Sequence, residues 1–121
     1  STIVLTAARG GHFLAQGTIN GRSTLFMVDT GATVIALGAA QAQSMGINYR
    51  SGRPVQFGTA NGTVPGWLIK LNSVRIGDVE VYEVDAVVGQ QAMPFVLLGN
   101  SFLTRFQMRR ENDMMVLERR Y

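Results

Sequence analysis

Short apolar runs broken by single glycines are what most limit the fold open to this chain. Fourteen glycines against three prolines suit many tight turns better than a few long helices. Asn20-Gly21 separates Phe13 to Ile19 from Arg22 to Val28, and Asn-Gly between apolar segments is the strongest short signal for a tight hairpin. Ala60-Asn61-Gly62 likewise separates Pro54 to Thr59 from Thr63 to Leu71, whose Trp67, Ile69 and Leu71 alternate onto one face, with Trp67 reading as core rather than pocket. Gly77-Asp78 joins Val74 to Ile76 with Val79 to Val88, and Asn112-Asp113 turns into a closing strand at Met114 to Glu118. Thr2 to Ala7, rich in β-branched residues, reads as the opening strand.

Helix is confined to two places. "VIALGAAQAQSMGI" sets Leu37, Ala40 and Met45 among alanines and reads as one short helix ended by Gly46. The continuous apolar run Phe95 to Leu98 stops at Gly99, and in the following "NSFLTRF" Asn100 or Ser101 stands where it can cap a helical turn or two. Both halves of the chain thus run apolar strand, glycine turn, short helix. No linker or low-complexity segment interrupts them, so the expectation is an all-β single domain over residues 1–121, a closed barrel or sandwich with minor helix.

The composition removes several classes of function. A length of 121 residues suits one domain, and 46% hydrophobic with 16% charged residues suits a folded one. Without cysteine there is no disulfide framework, thiolate metal site or thiol nucleophile, and the single histidine, His12, leaves no multi-histidine metal site. Between Gly11 and Phe13 it reads as a turn or strand-edge residue. The longest apolar runs fall far short of the ~20 residues that span a bilayer. "STIVLTAARGGHF" shows no signal peptide, which leaves room for a leader or anchor outside this stretch. The net charge of +3 owes much to Arg105, Arg109, Arg110, Arg119 and Arg120. Glu111, Asp113 and Glu118 interleave with these and no stacking aromatics are spaced among them, so the expectation is a solvated, partly ion-paired surface and no nucleic-acid partner.

The chemistry concentrates in "FMVDTGA", residues 26 to 32, where an apolar strand leads directly into Asp29. Burial disfavours an ionised carboxylate unless it is hydrogen-bonded or shares its charge, so neighbours arranged for Asp29 are expected. Asp-Thr-Gly alone is equally compatible with a turn aspartate bonded to its own backbone.

The surrounding elements narrow that choice. Asp29-Thr30-Gly31-Ala32, the hairpin at Ala60-Asn61-Gly62, and Leu97-Leu98-Gly99 before a short helix occur in an order that resembles the retropepsin-like aspartic proteases, above all their bacterial branch, from about Phe13 to Leu117. The resemblance implies a closed acid-protease barrel with a hairpin flap and one or two short helices. It implies an endopeptidase in which Asp29 and a second aspartate activate water, with no cofactor and no metal. The second half carries Leu98 where its aspartate would be, so the partner carboxylate would come from another copy of the chain, in a homodimer acting on extended peptide. Thr30 would join the two Asp loops across the dimer axis, and Gly31 would allow close backbone approach. Ala32 lacks a hydroxyl that could favour the ionised aspartate, which points to activity in mildly acidic solution. Residues 60 to 62 would form the flap, and the first and last strands the dimer elements. Bacterial relatives often carry a membrane-spanning segment before the protease domain, which implies an inner-membrane-anchored or periplasmic setting.

Overall fold

Turn chemistry fixes the strand connections. The structure, a computed structural model, describes residues 1–120. Asn20 and Gly21 both take left-handed φ, 50° and 82°, as a tight two-residue hairpin requires. Strands β2 (Leu14–Ile19) and β3 (Arg22–Val28) therefore pair antiparallel, from Leu14↔Met27 to Ile19↔Arg22. Strand β5 (Arg53–Thr59) turns at Ala60-Asn61 into β6 (Gly62–Ile76), which turns at Gly77 into β7 (Val79–Gly89). Two short strands complete the set: β4 (Ile35–Gly38), parallel to β7, and β8 (Val96–Leu98), parallel to β3 and antiparallel to β4.

The order β2-β3-β8-β4-β7-β6 is closed by a β2–β6 pairing, which makes a six-stranded mixed barrel and leaves β5 outside on β6. Beside it lies a three-stranded sheet of order β1-β10-β9, formed by β1 (Thr2–Thr6), β9 (Phe106–Glu111) and β10 (Met114–Arg119). The two helices, α1 (Ala39–Ser44) and α2 (Asn100–Leu103), follow β4 and β8. Phe26, Ile35, Leu71, Val96, Leu98, Phe102 and Leu117 are buried in one core, and each such side chain contributes on the order of 1.5–3 kcal/mol by leaving water. No polar or charged residue is buried with them among the described residues.

Several expectations change on contact with the structure. The helix expected across Leu37 and Met45 begins only at Ala39, because Ile35 and Leu37 alternate into the core as strand β4 between β7 and β8. Pairing on both sides outweighs the helix preference of the alanines. Gly46 does end the helix, with φ 72°. Neither Asn100 nor Ser101 caps α2; Gly99 is the N-cap, and both polar side chains bond elsewhere. Strand β9 gives no sequence signal, since only its first residue, Phe106, is buried. The first and last strands pair with each other within the chain from Thr2↔Glu118 to Thr6↔Met114.

The late arginines lie at the surface and are partly ion-paired, as expected. Of these arginines, only Arg109 forms an ion pair among the described residues, with Glu111 at 2.7 Å. Arg105 donates to the Tyr82 and Glu83 carbonyls at 2.7 and 2.9 Å, Arg119 to Glu80 O at 2.9 Å, and Arg120 to Thr104 O at 3.2 Å. Arg110 lies over the Phe13 ring. Most of this charge fastens backbone rather than forming a free patch.

Residues 63–71 and 74–76, read as separate strands, are one continuous β6 that runs through Asn72. Ladder pairing lapses there between Leu71↔Val84 and Ser73↔Tyr82, and Glu83 takes φ 56°. This lapse is bridged from the β2–β3 turn, where Asn20 Oδ1 accepts from the Asn72 and Ser73 amides at 3.0 and 3.2 Å. Asn20 thus serves two ends, the left-handed turn and the lapse in the β6 ladder. Asn20→Ala is expected to cost about 1–2 kcal/mol in chemical denaturation, since alanine neither favours left-handed φ nor accepts those bonds. Asn20→Gly, which keeps the turn and loses only the side-chain bonds, is expected to recover part of that loss.

Candidate active site

Asp29 stands where β3 leaves the barrel, and the loop it opens is tied down on both sides by hydrogen bonds. Its amide donates to Leu98 O on β8 at 3.1 Å, and its carbonyl accepts from Ala32 N at 3.2 Å. Its Oδ1 accepts from Gly31 N at 2.9 Å, the bond of an aspartate turn. A Cβ at residue 31 would lie 3.2 Å from that oxygen, so glycine suits the tight spacing. The N-terminal turn of α2 holds the far side: Asn100 N donates to Ala32 O at 2.8 Å and Asn100 Nδ2 to Thr30 O at 2.9 Å. Ser101 Oγ accepts from Ile35 N at 3.0 Å and donates to Asp85 O at 2.7 Å, which pins the exit from the loop to β7.

The roles within Leu97-Leu98-Gly99 are distinct. Leu97 lines the groove beside Asp29, and Leu98 is wholly buried. At Gly99 a Cβ would lie 2.1 Å from Val34 O and 2.8 Å from Ala32 O, so the Asp loop crosses residue 99 at a distance only glycine permits. Sequence reasoning noted Gly99 as a turn and missed Asn100 and Ser101 as ties. Nothing local marks a polar side chain that bonds 66 or 70 residues away.

The carboxylate is less enclosed than "FMVDTGA" suggested. Phe26 is buried, yet Met27, Val28 and Asp29 are half-buried and Thr30 and Gly31 are exposed in the single chain. Asp29 opens onto a groove of about 720 Å³ lined also by Ala32, Val34, Phe57, Ala60, Met93 and Leu97. Of the expected hairpin tip, Ala60 lines the groove, while Asn61 and Gly62 shape the turn: Asn61 N donates to Thr59 Oγ1 at 3.2 Å and that hydroxyl donates to Gly62 O at 2.8 Å. No lysine, arginine, histidine or second carboxylate lines the groove among the described residues. His12 is exposed and Trp67 packs edge-on against Tyr49 at 5.1 Å, both away from it.

The crossing at Gly99 yields a sharp contrast. Gly99→Ala is expected to lower the unfolding free energy by about 3 kcal/mol or to prevent folding, because backbone carbonyls must move. Gly58→Ala, where an added Cβ meets nothing within 4 Å, should stay within about 0.5 kcal/mol of wild type. Denaturant unfolding of the two variants checks both.

Comparison with known proteins places this geometry. Residues 15–105 match the family described as "gag-polyprotein putative aspartyl protease", a span from β2 through α2. The crystal structure of a retropepsin-like aspartic protease from Rickettsia conorii superposes with a TM-score of 0.83 at 36% identity, covering 97% of this chain and 89% of that one. An uncharacterized protein of Rickettsia prowazekii (strain Madrid E) is 36% identical over 117 residues, 95% of this chain and 50% of the relative. An uncharacterized protein in the cobV 5′ region of a Sinorhizobium species is 32% identical over 108 residues, 88% of this chain and 46% of the relative. The chain spans about half the length of these two relatives. With its closed barrel, its glycine crossing and its Asp-Thr-Gly loop at the mouth of a groove, the chain belongs to the retropepsin-like aspartic protease family.

Proposed function

We propose that this chain is an aspartic endopeptidase, a single protease domain whose active site is completed by a second copy of itself. One observation carries the reading: Asp29 is the only carboxylate on its groove among the described residues, and its loop at the chain's surface is tied to β8 and α2 by backbone and side-chain hydrogen bonds. General acid–base hydrolysis of a peptide needs two carboxylates in opposite protonation states at one site, and a two-fold homodimer supplies the second. The ionised Asp29 takes a proton from water as the water oxygen bonds to the scissile carbonyl carbon, while the protonated Asp29 of the second copy gives its proton to the carbonyl oxygen, forming a tetrahedral gem-diol. The C–N bond then breaks as the proton taken from water passes to the amide nitrogen and a gem-diol proton returns to the other carboxylate, leaving a carboxylic acid and an amine and restoring the pair. Thr30 would bridge the two loops, Gly31 and Ala32 would carry the turn, and the hairpin at Ala60, Asn61 and Gly62 would close over an extended peptide and exclude water. The uncharged lining of the groove supports substrates with uncharged side chains near the cleaved bond.

A second reading is a catalytically silent dimerisation or peptide-binding domain. It is favoured by the Asp29 Oδ1 bond to Gly31 N, which an ordinary turn aspartate also makes.

Cleavage of a peptide library, measured with sedimentation across protein concentration, separates the two. The protease reading expects a rate that rises with the dimer fraction, and an Asp29→Asn variant that dimerises while losing roughly 10²–10⁴-fold or more in rate. Dimer and peptide binding without cleavage would establish the silent domain, and a monomer that cleaves would sink the shared site. With alanine at position 32 offering no hydroxyl to the carboxylate, the pH–rate maximum is expected in mildly acidic solution; a maximum as acidic as that of gastric enzymes would contradict this part of the proposal.

A further inference from the structure

Between the end of β7 at Gly89 and the start of β8 at Val96 the backbone leaves the barrel ladder, and Gln90, Gln91 and Met93 of this stretch form one wall of the Asp29 groove. A wall without ladder pairing needs another anchor to keep its place. Among the described residues that anchor is Gln41 in α1, whose Nε2 donates to Met93 O at 3.2 Å. The same carboxamide accepts from Gly38 N at 2.7 Å through Oε1, so its two ends are fixed by partners of opposite kind. A second contact lies two residues back: a Cβ at Gly38 would stand 2.6 Å from Gln91 O. The junction of β4 and α1 therefore receives the wall at two carbonyls, one by hydrogen bond and one by close packing.

We infer that Gln41 is a positioning residue for substrate, holding the wall at Gln90 to Met93 at the distance from Asp29 that an extended peptide needs. The inference rests on the proteolytic reading of the groove. Gln41 does not line the groove and touches no reacting group; it acts through Met93. Losing it shifts one side of the binding cleft while leaving the Asp loop, tied to α2 and β8, unmoved. Its loss therefore weakens peptide binding more than the chemical step.

Two substitutions divide the carboxamide into its halves. Gln41→Glu keeps an acceptor for Gly38 N but sets a carboxylate oxygen against the Met93 carbonyl. Gln41→Lys offers a donor to Met93 O but nothing to Gly38 N. The experiment measures kcat and KM on an uncharged extended peptide for wild type and both variants, with hydrogen exchange of residues 90–95 and thermal midpoints alongside. The expected result is a KM raised roughly tenfold in Gln41→Glu with kcat within about twofold, and a smaller rise in Gln41→Lys. Exchange at 90–95 should quicken in the same order while β6 and β7 keep their protection. If Gln41→Lys is the more impaired and Gln41→Glu matches wild type, Gln41 is only a helix cap and the inference fails. A wild type that binds but does not cleave overturns the protease reading instead, and the exchange order then decides whether Gln41 holds the wall.

Discussion

Everything about the site depends on the crossing at Gly99, where the backbone of the Asp loop passes within contact distance of the turn between β8 and α2. The crossing is polar on both sides. Asp29 N reaches Leu98 O, and Asn100 N reaches Ala32 O, so each segment satisfies peptide groups that the other would leave unpaired. A side chain at residue 99 would hold the segments apart and break these bonds together. The parallel pairing of β3 with β8, from Phe26↔Val96 to Val28↔Leu98, brings the two segments to this point, and the closed barrel keeps both strands in register.

Order in the loop is therefore obtained during folding. The peptide groups of Asp29, Ala32 and Asn100 and the Gly31 amide have partners within the one chain, and the Thr30 carbonyl is held by the Asn100 side chain. Fixing a loop costs conformational entropy of about 1–2 kcal/mol per residue, and here the cost is met by contacts that exist without a substrate. A preordered loop binds with less further loss than a mobile one. Free capacity is left where a partner would reach it, at the exposed Thr30 and at the open side of the half-buried carboxylate.

How much of this the sequence discloses depends on the range of the interaction. Hairpins are local, and Asn20-Gly21, Asn61-Gly62 and Gly77-Asp78 mark theirs because left-handed φ restricts which residues serve. Asp29, Thr30 and Gly31 are legible as a motif because they are contiguous. Strand β4 is not, since four residues ahead of an alanine-rich helix acquire strand character only from β7 and β8 beside them. The same holds for β9, whose exposed Arg109 and Arg110 give no alternation of polar and apolar residues. Least legible are Asn100 and Ser101. Their position after Gly99 suggests helix caps, and only the folded chain shows them reaching Thr30 O and Asp85 O.

The difference in enclosure between "FMVDTGA" as a string and Asp29 as a site has a physical reading. A strand's apolar residues report the barrel it closes, and Phe26 is buried accordingly. The residue just beyond the strand reports the barrel's rim, where burial depends on what lies against it. In one chain that side is solvent, and Thr30 and Gly31 are exposed. An apolar run leading into an aspartate therefore signals a carboxylate carried to a surface by a rigid strand, with its main chain already bonded, rather than one sealed in a core. At such a rim water screens the lone carboxylate, and its coupling to any neighbouring charge strengthens only where a contact excludes that water.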